Sequence, residues 1–310
     1  MKKFIFHFIA TTFLMTNSCF SFAQSFSIEI IIKNQPNNII IFGAIKGDSF
    51  TAIDSAFAKN ELVRFNIPEN ANTGMYRIIM GQSAYAKVMN EDPQQLDFIF
   101  NNENVVLETD FDDPANNVNI IQSKENIVWF RFKRKEKILT EQLIEFEKEV
   151  NYLWSSNKTQ QAINKANEYN QLQIERDLFV TQSLKETVNL FSEGLIQTFK
   201  KPILDGYLTK EQRDELFKKD YLKSVNFNNE SLIYSQAYTD KVFEYLLSYN
   251  QIGFTKTQRE NAYIKATDKI LSYTAINKEV NKFIIDYLIH GFGVLKLEKV
   301  IDHIRSNYPQ

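Results

Sequence analysis

Two histidines after residue 23, His290 and His303, are the first candidates for metal or acid–base chemistry in this 310-residue sequence. Asp286 precedes His290 by four residues, a spacing that would place both side chains on one face of a helix. Two ligands do not hold zinc, whose sites use three or four protein ligands. No Gly-x-Ser-x-Gly segment supports a serine–histidine–acid triad. We therefore interpret the histidines as helix-surface or capping residues and predict no catalytic residue, no metal ligand and no cofactor site.

An acidic segment, Asp110-Phe111-Asp112-Asp113-Pro114, is the second candidate. Oxygen-rich loops can hold calcium, but this one has neither the central glycine nor the terminal glutamate of the twelve-residue calcium loop. Aspartate before proline is ordinary turn chemistry, so we favour a turn that joins two domains. A hydrolase that uses Asp112 and Asp113 remains a weaker alternative.

Charged residues on the predicted helices could serve as acid–base pairs or as an anion site. The acid pairs are Glu145 with Glu149 and Glu211 with Glu215. Nothing marks either pair as desolvated, so we interpret them as solvated helix residues. The basic run comprises Arg131, Lys133, Arg134, Lys135 and Lys137. We interpret it as a solvated helix face, with a phosphate or lipid-headgroup site as the alternative.

Other ligand-binding motifs are weak. The nine glycines are dispersed, so no Gly-rich phosphate loop is formed. Four tyrosines lie at helical spacing: Tyr234, Tyr238, Tyr245 and Tyr249. Aromatic residues on helices usually pack in a core, which is the interpretation we favour. The alternative is a patch that binds a partner or a sugar.

The N-terminus is typical of a secretory signal peptide. Lys2 and Lys3 precede the apolar run 4–15, and Ser21-Phe22-Ala23 is a small-x-small cleavage site before Gln24. The run is about 12 residues long, whereas a membrane-spanning helix needs about 20. We therefore predict that residues 1–23 are a cleaved signal peptide, that the mature chain has no transmembrane segment, and that it resides in the periplasm or cell envelope.

The single cysteine, Cys19, lies just before the predicted cleavage site. An alternative is that Cys19 becomes a lipid-modified N-terminus, but such sites usually have an aliphatic residue where Thr16 stands. Cleavage after Ala23 would leave a mature chain without cysteine, which excludes disulfides, a thiolate nucleophile and a zinc–thiolate site.

The composition excludes one class of partner. Loss of residues 1–23 removes two lysines and no acids, so the formal charge falls from −2 to −4. Nucleic-acid binding requires a basic face, so we predict no nucleic-acid partner. With 44% hydrophobic residues the chain can form a sizeable core in one or two domains.

The hydrophobic periodicity changes once along the chain. Short β-branched segments alternate with turn signals up to residue 121, which predicts an antiparallel β-sandwich over 24–121. From residue 122 the period is helical, and Ser123 is a candidate N-cap. Two long helices, to about 153 and over 159–191, form a predicted hairpin, and shorter helices follow. The fold class is therefore α+β, with a β-sandwich domain and a helical domain over 122–310.

This order of parts resembles the N-terminal region of envelope thioredoxin-family proteins of the TlpA or redoxin type. Five segments carry the resemblance: Gly47-Asp48-x-x-x-Ala52-Ile53-Asp54-Ser55, Leu96-Asp97-Phe98-Ile99-Phe100 with Val105-x-Leu107-x-Thr109, Ser123-Lys124-Glu125-Asn126, Asp220-Tyr221 through Val225-Asn226-Phe227 to Leu232, and Asn277-Lys278-Glu279-Val280 through Phe283 to Tyr287-Leu288. The resemblance implies a thioredoxin domain with a Cys-x-x-Cys pair after Tyr308, whereas this sequence ends at Gln310.

Thiol–disulfide exchange needs a thiolate, which the predicted mature chain does not contain. We therefore expect a non-catalytic exported envelope protein, not an enzyme, that binds a protein or small-molecule ligand. The alternative is an accessory or truncated part of an envelope thiol–disulfide oxidoreductase system, acting with a separate thioredoxin-domain protein.

Overall fold

The computed structural model describes residues 26–309. The predicted signal peptide, its cleavage site after Ala23 and Cys19 lie outside the described residues. Within them, β-branched segments form strands whose side chains alternate between the core and the solvent. In β1 (Ser27–Lys33), for example, Ile28, Ile30 and Ile32 are fully buried, as expected for one face of a strand. The other strands are β2 (Ile39–Lys46), β3 (Ser49–Phe57), β4 (Leu62–Asn66), β5 (Gly74–Gly81), β6 (Gln94–Phe100), β7 (Val105–Asp110) and β8 (Asn119–Gln122).

The strands form two four-stranded sheets, with the orders β4-β1-β7-β8 and β3-β2-β5-β6. Phe42 of β2 stacks on Phe65 of β4 with ring centroids 5.1 Å apart, so the inner faces of the two sheets share a core. The purely antiparallel arrangement predicted from the sequence is wrong for one pair, because β1 and β7 run parallel. The chain passes through the whole second sheet between these strands, and such a long crossover permits parallel pairing.

The α+β class is confirmed by the helices that follow the sheets. Ser123 caps the first long helix, accepting a hydrogen bond from the backbone N–H of Asn126. The helices are α1 (Ala84–Met89), α2 (Lys124–Ser155), α3 (Thr159–Glu186), α4 (Phe191–Gln197), α5 (Lys210–Asp220), α6 (Ala237–Leu247), α7 (Lys256–Thr274), α8 (Lys278–Val294) and α9 (Glu298–Asn307), with short 3-10 helices at Tyr221–Ser224 and Glu230–Tyr234.

One helix boundary differs from the sequence prediction. The second long helix ends at Glu186, not near residue 191, and Asn189 in the following turn has a φ of 67°. The buried carboxylate of Glu125 accepts hydrogen bonds from the N–H groups of Phe191 and Ser192, which starts a separate helix there. Helix α8 continues through Gly291, and the neighbouring Leu288 and Phe292 are buried, which offsets the low helix propensity of glycine.

Polar contacts join the sheets to the helices. The N-terminal end of α2 lies against β6, where the side-chain amide of Asn126 exchanges two hydrogen bonds with the backbone of Ile99. At the opposite side, the Thr239 hydroxyl of α6 donates to Asp48 in the β2–β3 turn at 2.7 Å. These contacts place α2 and α6 on either side of one cavity.

Candidate functional site

A cavity of about 680 Å³ lies where the β5–β6 sheet, α2, α4 and α6 meet, and we call it the junction cavity. Its volume falls within the range of small-molecule sites, which is about 300–1,000 Å³. Asp97 of β6, Trp129 of α2, Leu195 of α4 and Lys241 of α6 each contribute to its wall. It is therefore built from both parts of the chain, and neither part alone encloses it.

One wall of the cavity is cationic. Lys133 and Lys137 are four residues apart on α2 and therefore project from the same face, with Arg134 beside them. Among residues 26–309, neither lysine has a carboxylate oxygen within 4.0 Å. Arg134 donates a hydrogen bond to the carbonyl of Val118 and forms no salt bridge with any residue that the structure describes. Lys133 and Lys137 thus have no carboxylate within salt-bridge distance among the described residues, and Arg134 adds a third positive charge to the wall.

The cationic wall lies next to aromatic surface. The Lys133 Nζ atom is 5.5 Å from the ring centroid of Trp129 and 5.3 Å from that of Phe199. Trp129 and Phe199 are themselves packed edge to face with centroids 6.1 Å apart. An ammonium over an aromatic face gains about 0.5–1 kcal/mol at an exposed site, so the rings hold Lys133 toward the cavity.

The acids of the cavity wall are largely neutralised from within the protein. Of four lining acids, three form ion pairs, namely Arg77–Asp97, Arg176–Glu136 and Lys201–Glu244. Asp240 is the fourth, and no described cation lies within 4.0 Å of its carboxylate. The unpaired charge of the wall is therefore positive on balance, although the sequence as a whole carries a formal charge of −2.

Glu136 is a buried acid of the cavity wall. Its Oε1 atom accepts from Arg176 Nε at 2.9 Å and from the Thr140 hydroxyl at 2.9 Å. Its Oε2 atom is buried and accepts no hydrogen bond from the described residues. The carboxylate is therefore held within the protein by Arg176 and Thr140, and the charge of Arg176 offsets its own.

A second polar group of the wall centres on Lys241, of which only 5% is exposed. Lys241 Nζ donates to Tyr221 Oη at 3.0 Å, and Tyr221 in turn donates to Glu244 Oε2. Lys201 donates to the other oxygen of Glu244. Burial lowers the pKa of Lys241 to about 7; the negative charge of Glu244 opposes this shift, and the positive charges of Lys201 and Arg176 add to it.

The structure divides the basic run that the sequence interpretation treated as one solvated face. Arg131 and Lys135 are exposed and form ion pairs with acids of α3, as a solvated face would. Lys133, Arg134 and Lys137 are exposed as well, but they also line the junction cavity, so for these three the alternative of an anion site stays a prediction. The signal that separates the two groups is helical spacing, since 133 and 137 share a face that 131 and 135 do not.

The other sequence candidates are not brought together. Asp286 and His290 are exposed on α8, whereas the Nε2 atom of His303 on α9 lies 2.6 Å from a carboxylate oxygen of Asp268. No group of three acidic, histidine or cysteine side chains among residues 26–309 is arranged to hold a metal ion. The glutamate pairs 145/149 and 211/215 are exposed, as predicted.

The acidic segment after β7 is a hydrogen-bonded turn. Asp110 accepts from the side chain of Asn34 at 2.8 Å and from the backbone N–H of Asp112 at 3.0 Å. Asp113 accepts from the side-chain amide of Asn116. The carboxylates therefore stabilise a turn, as favoured from the sequence, but the turn connects β7 to β8 within one sheet, so the prediction that it joins two domains is wrong.

The four tyrosines are mainly core residues, as favoured from the sequence. Tyr238 and Tyr245 are fully buried, and Tyr234 and Tyr249 are half-buried. Tyr249 contributes to a second depression, between α5, α6 and α7, that is more open than the junction cavity. That depression is lined by exposed or surface-paired lysines, so it lacks the buried, unsatisfied groups that distinguish the junction cavity.

Comparison of the chain with known protein families, with curated proteins and with solved structures found no match. None of the described helices is long and apolar enough to cross a membrane. The junction cavity is consequently interpreted from its own geometry and charges.

Proposed function

We propose that this protein is an exported cell-envelope binding protein, not an enzyme, that holds a small anionic ligand in the junction cavity. One observation carries the proposal: Lys133 and Lys137, without carboxylate partners among the described residues, line the same cavity as a tryptophan. Cationic groups would bind the acid group of the ligand, and Trp129 would pack against its apolar part. Export is supported by the secretory pattern of residues 1–23.

The ligand class follows from the complementary groups. A carboxylate or phosphate would pair with the lysines, and a hydroxyl of the same molecule would donate to Asp240, the exposed lining acid that has no described cation within 4.0 Å. A cavity of about 680 Å³ is suited to a metabolite-sized molecule and not to a folded partner. We therefore propose hydroxy acids and aromatic acids as the first compounds to test.

Calorimetry on the mature chain (residues 24–310) tests the proposal, with phenylacetate, phenyl phosphate and glycolate as probes. Replacement of both Lys133 and Lys137 by alanine should weaken binding by at least about 100-fold, since each charged hydrogen bond contributes about 1.5–3 kcal/mol and the double variant removes two. A matched control, Lys135→Ala with Lys148→Ala, removes the same charge outside the cavity and should leave affinity unchanged. An equal loss in both double variants would show that only net charge matters, and the proposal would be abandoned.

A second proposal, from the resemblance to thioredoxin-family proteins, is that the chain is an accessory part of an envelope thiol–disulfide system. Since Cys19 is the single cysteine of the sequence, a separate polypeptide would have to supply the redox-active pair. This second proposal is supported by the order of the β-sheet and helical regions along the chain. Co-purification of the tagged chain with a Cys-x-x-Cys protein from the native envelope would favour it, and a gene neighbourhood without such a protein would count against it.

A further inference from the structure

Lys241 is the most deeply buried amine of the junction cavity wall. An ammonium has three N–H donors, and the hydrogen bond to Tyr221 Oη at 3.0 Å uses one of them. The nearest carboxylate oxygen, Glu244 Oε2, is 4.0 Å from Nζ. Both oxygens of Glu244 already accept hydrogen bonds from Tyr221 and Lys201. The Tyr221 ring, whose centroid lies 4.4 Å from Nζ, also favours the charged form, but two of the three N–H donors find no acceptor among the described residues.

The uncharged amine is favoured for the same reasons. Burial lowers the pKa of Lys241 to about 7 from its ordinary value of 10.5, so near neutral pH much of it carries a free lone pair. Lysines that are desolvated next to other cations act as nucleophiles toward carbonyl compounds. Lys133 and Lys137, by contrast, are exposed to water and lie at the same cavity, where they would bind an acid group.

From this geometry we propose that Lys241 binds a small anionic carbonyl compound, such as an α-keto acid or an aldehyde acid, as a reversible imine in the junction cavity. The inference rests on the proposed function and names the reactive group of its ligand. The lysines of α2 would orient the acid group, and the carbonyl carbon would face Nζ.

The step conserves atoms and electrons. The Nζ lone pair attacks the carbonyl carbon, the C=O π bond breaks, and the carbonyl oxygen takes up a proton, which gives a carbinolamine. Loss of that oxygen as water forms the C=N bond, so amine and carbonyl give imine and water without oxidation or reduction. Tyr221 contacts Nζ and is a phenol at neutral pH because burial raises its pKa, so it is placed to pass a proton between Nζ and Glu244.

Reductive trapping with glyoxylate and sodium cyanoborohydride tests the inference on the mature chain. Peptide mapping at pH 7 should show that Lys241 is carboxymethylated at least about tenfold faster than an average exposed lysine. The reason is that the amine of an exposed lysine is almost entirely protonated at this pH. The labelling rate should rise with pH and level off above about 7. Lys241→Arg should abolish this label, whereas the exposed-lysine control Lys282→Arg should retain it.

A second variant and a second probe separate the possible outcomes. Lys241→Met replaces the buried amine with an uncharged side chain. A cooperative thermal transition in either Lys241 variant establishes that the variant is folded. Labelling that is uniform over surface lysines and unchanged in both variants would overturn the imine. Glycolate has no aldehyde or ketone group, so glycolate binding without glyoxylate trapping would refute the imine and preserve the proposed function. Failure of both probes would refute both.

Discussion

The side chain of Asn126 and the backbone of Ile99 form a pair of hydrogen bonds that resembles the pairing of two strands. Ile99 N–H donates to Asn126 Oδ1 at 2.8 Å, and Asn126 Nδ2 donates to the Ile99 carbonyl at 2.7 Å. Asn126 is fully buried. The first turn of α2 is thereby held against β6, which forms the adjacent wall of the junction cavity.

Asn126→Ala should therefore destabilise the fold, because it leaves the buried N–H and carbonyl of Ile99 without partners. Each unsatisfied buried group costs about 1–3 kcal/mol, so we expect a loss of about 2–5 kcal/mol in the free energy of unfolding, measured by urea denaturation. The control is Asn164→Ala on the exposed face of α3, which should change stability by less than about 0.5 kcal/mol. Equal effects in the two variants would contradict this role of Asn126.

The Arg176–Glu136 pair should be similarly sensitive to removal of one partner. Both residues are buried, so Arg176→Met leaves Glu136 as an uncompensated charge at the cavity wall. We expect a loss of about 3–5 kcal/mol in urea denaturation. The double variant with Glu136→Gln should recover part of this loss, because the unpaired charge is removed. Lys135→Ala, which breaks an exposed pair with Glu175, should cost less than about 1 kcal/mol.

Lys241 should make stability depend on pH in a defined direction. Its pKa is about 7 in the folded protein and near the ordinary 10.5 when unfolded, so between these values the unfolded chain binds more protons. Stability due to this group therefore rises with pH from about 7 to 10.5 and is lowest at and below pH 7.

Comparison with Lys241→Met isolates this dependence. The variant should be more stable relative to the native chain at pH 6 than at pH 10, by a few kcal/mol, since each unit of pKa shift corresponds to about 1.4 kcal/mol. Urea denaturation at pH 6, 8 and 10 measures the difference, with Lys282→Met as the exposed control. A stability difference between the native chain and Lys241→Met that is independent of pH would contradict the lowered pKa.

The secretory pattern predicts the N-terminus of the mature protein. Expression of the full chain in a bacterium with an outer membrane should yield a periplasmic protein that begins at Gln24, as read by intact mass and N-terminal sequencing. Cys19→Ser should be processed in the same way, whereas Ala23→Arg should block cleavage. A lipid-modified N-terminal Cys19 would instead establish the alternative of an anchored protein.

Much of the secondary structure could be predicted from the sequence because it depends on local periodicity. Alternating isoleucines over 28–32 indicated a strand with one buried face, and Ser123 was identified as an N-cap from its place before a helical period. The parallel pairing of β1 with β7 could not be predicted in this way. It places Ile30 opposite Leu107, and the local pattern of neither strand indicates which strand is its partner or in which register.

The candidate site was largely missed by sequence reasoning. Lys133 and Lys137 looked like ordinary surface lysines, and Lys241 showed no distinguishing neighbour along the chain. What makes Lys241 unusual is desolvation by residues from α2, α4 and the 3-10 helix at Tyr221–Ser224, and such burial exists only once distant segments pack.

By itself the sequence determined the α+β class, the position where strands change to helices and the scarcity of histidine and cysteine, because these properties depend on residue type and short-range spacing. The tertiary structure decided which charges are paired, which are buried and which face the junction cavity. Those properties depend on distances between atoms of remote segments, since both Coulomb interactions and desolvation act through space and not along the chain.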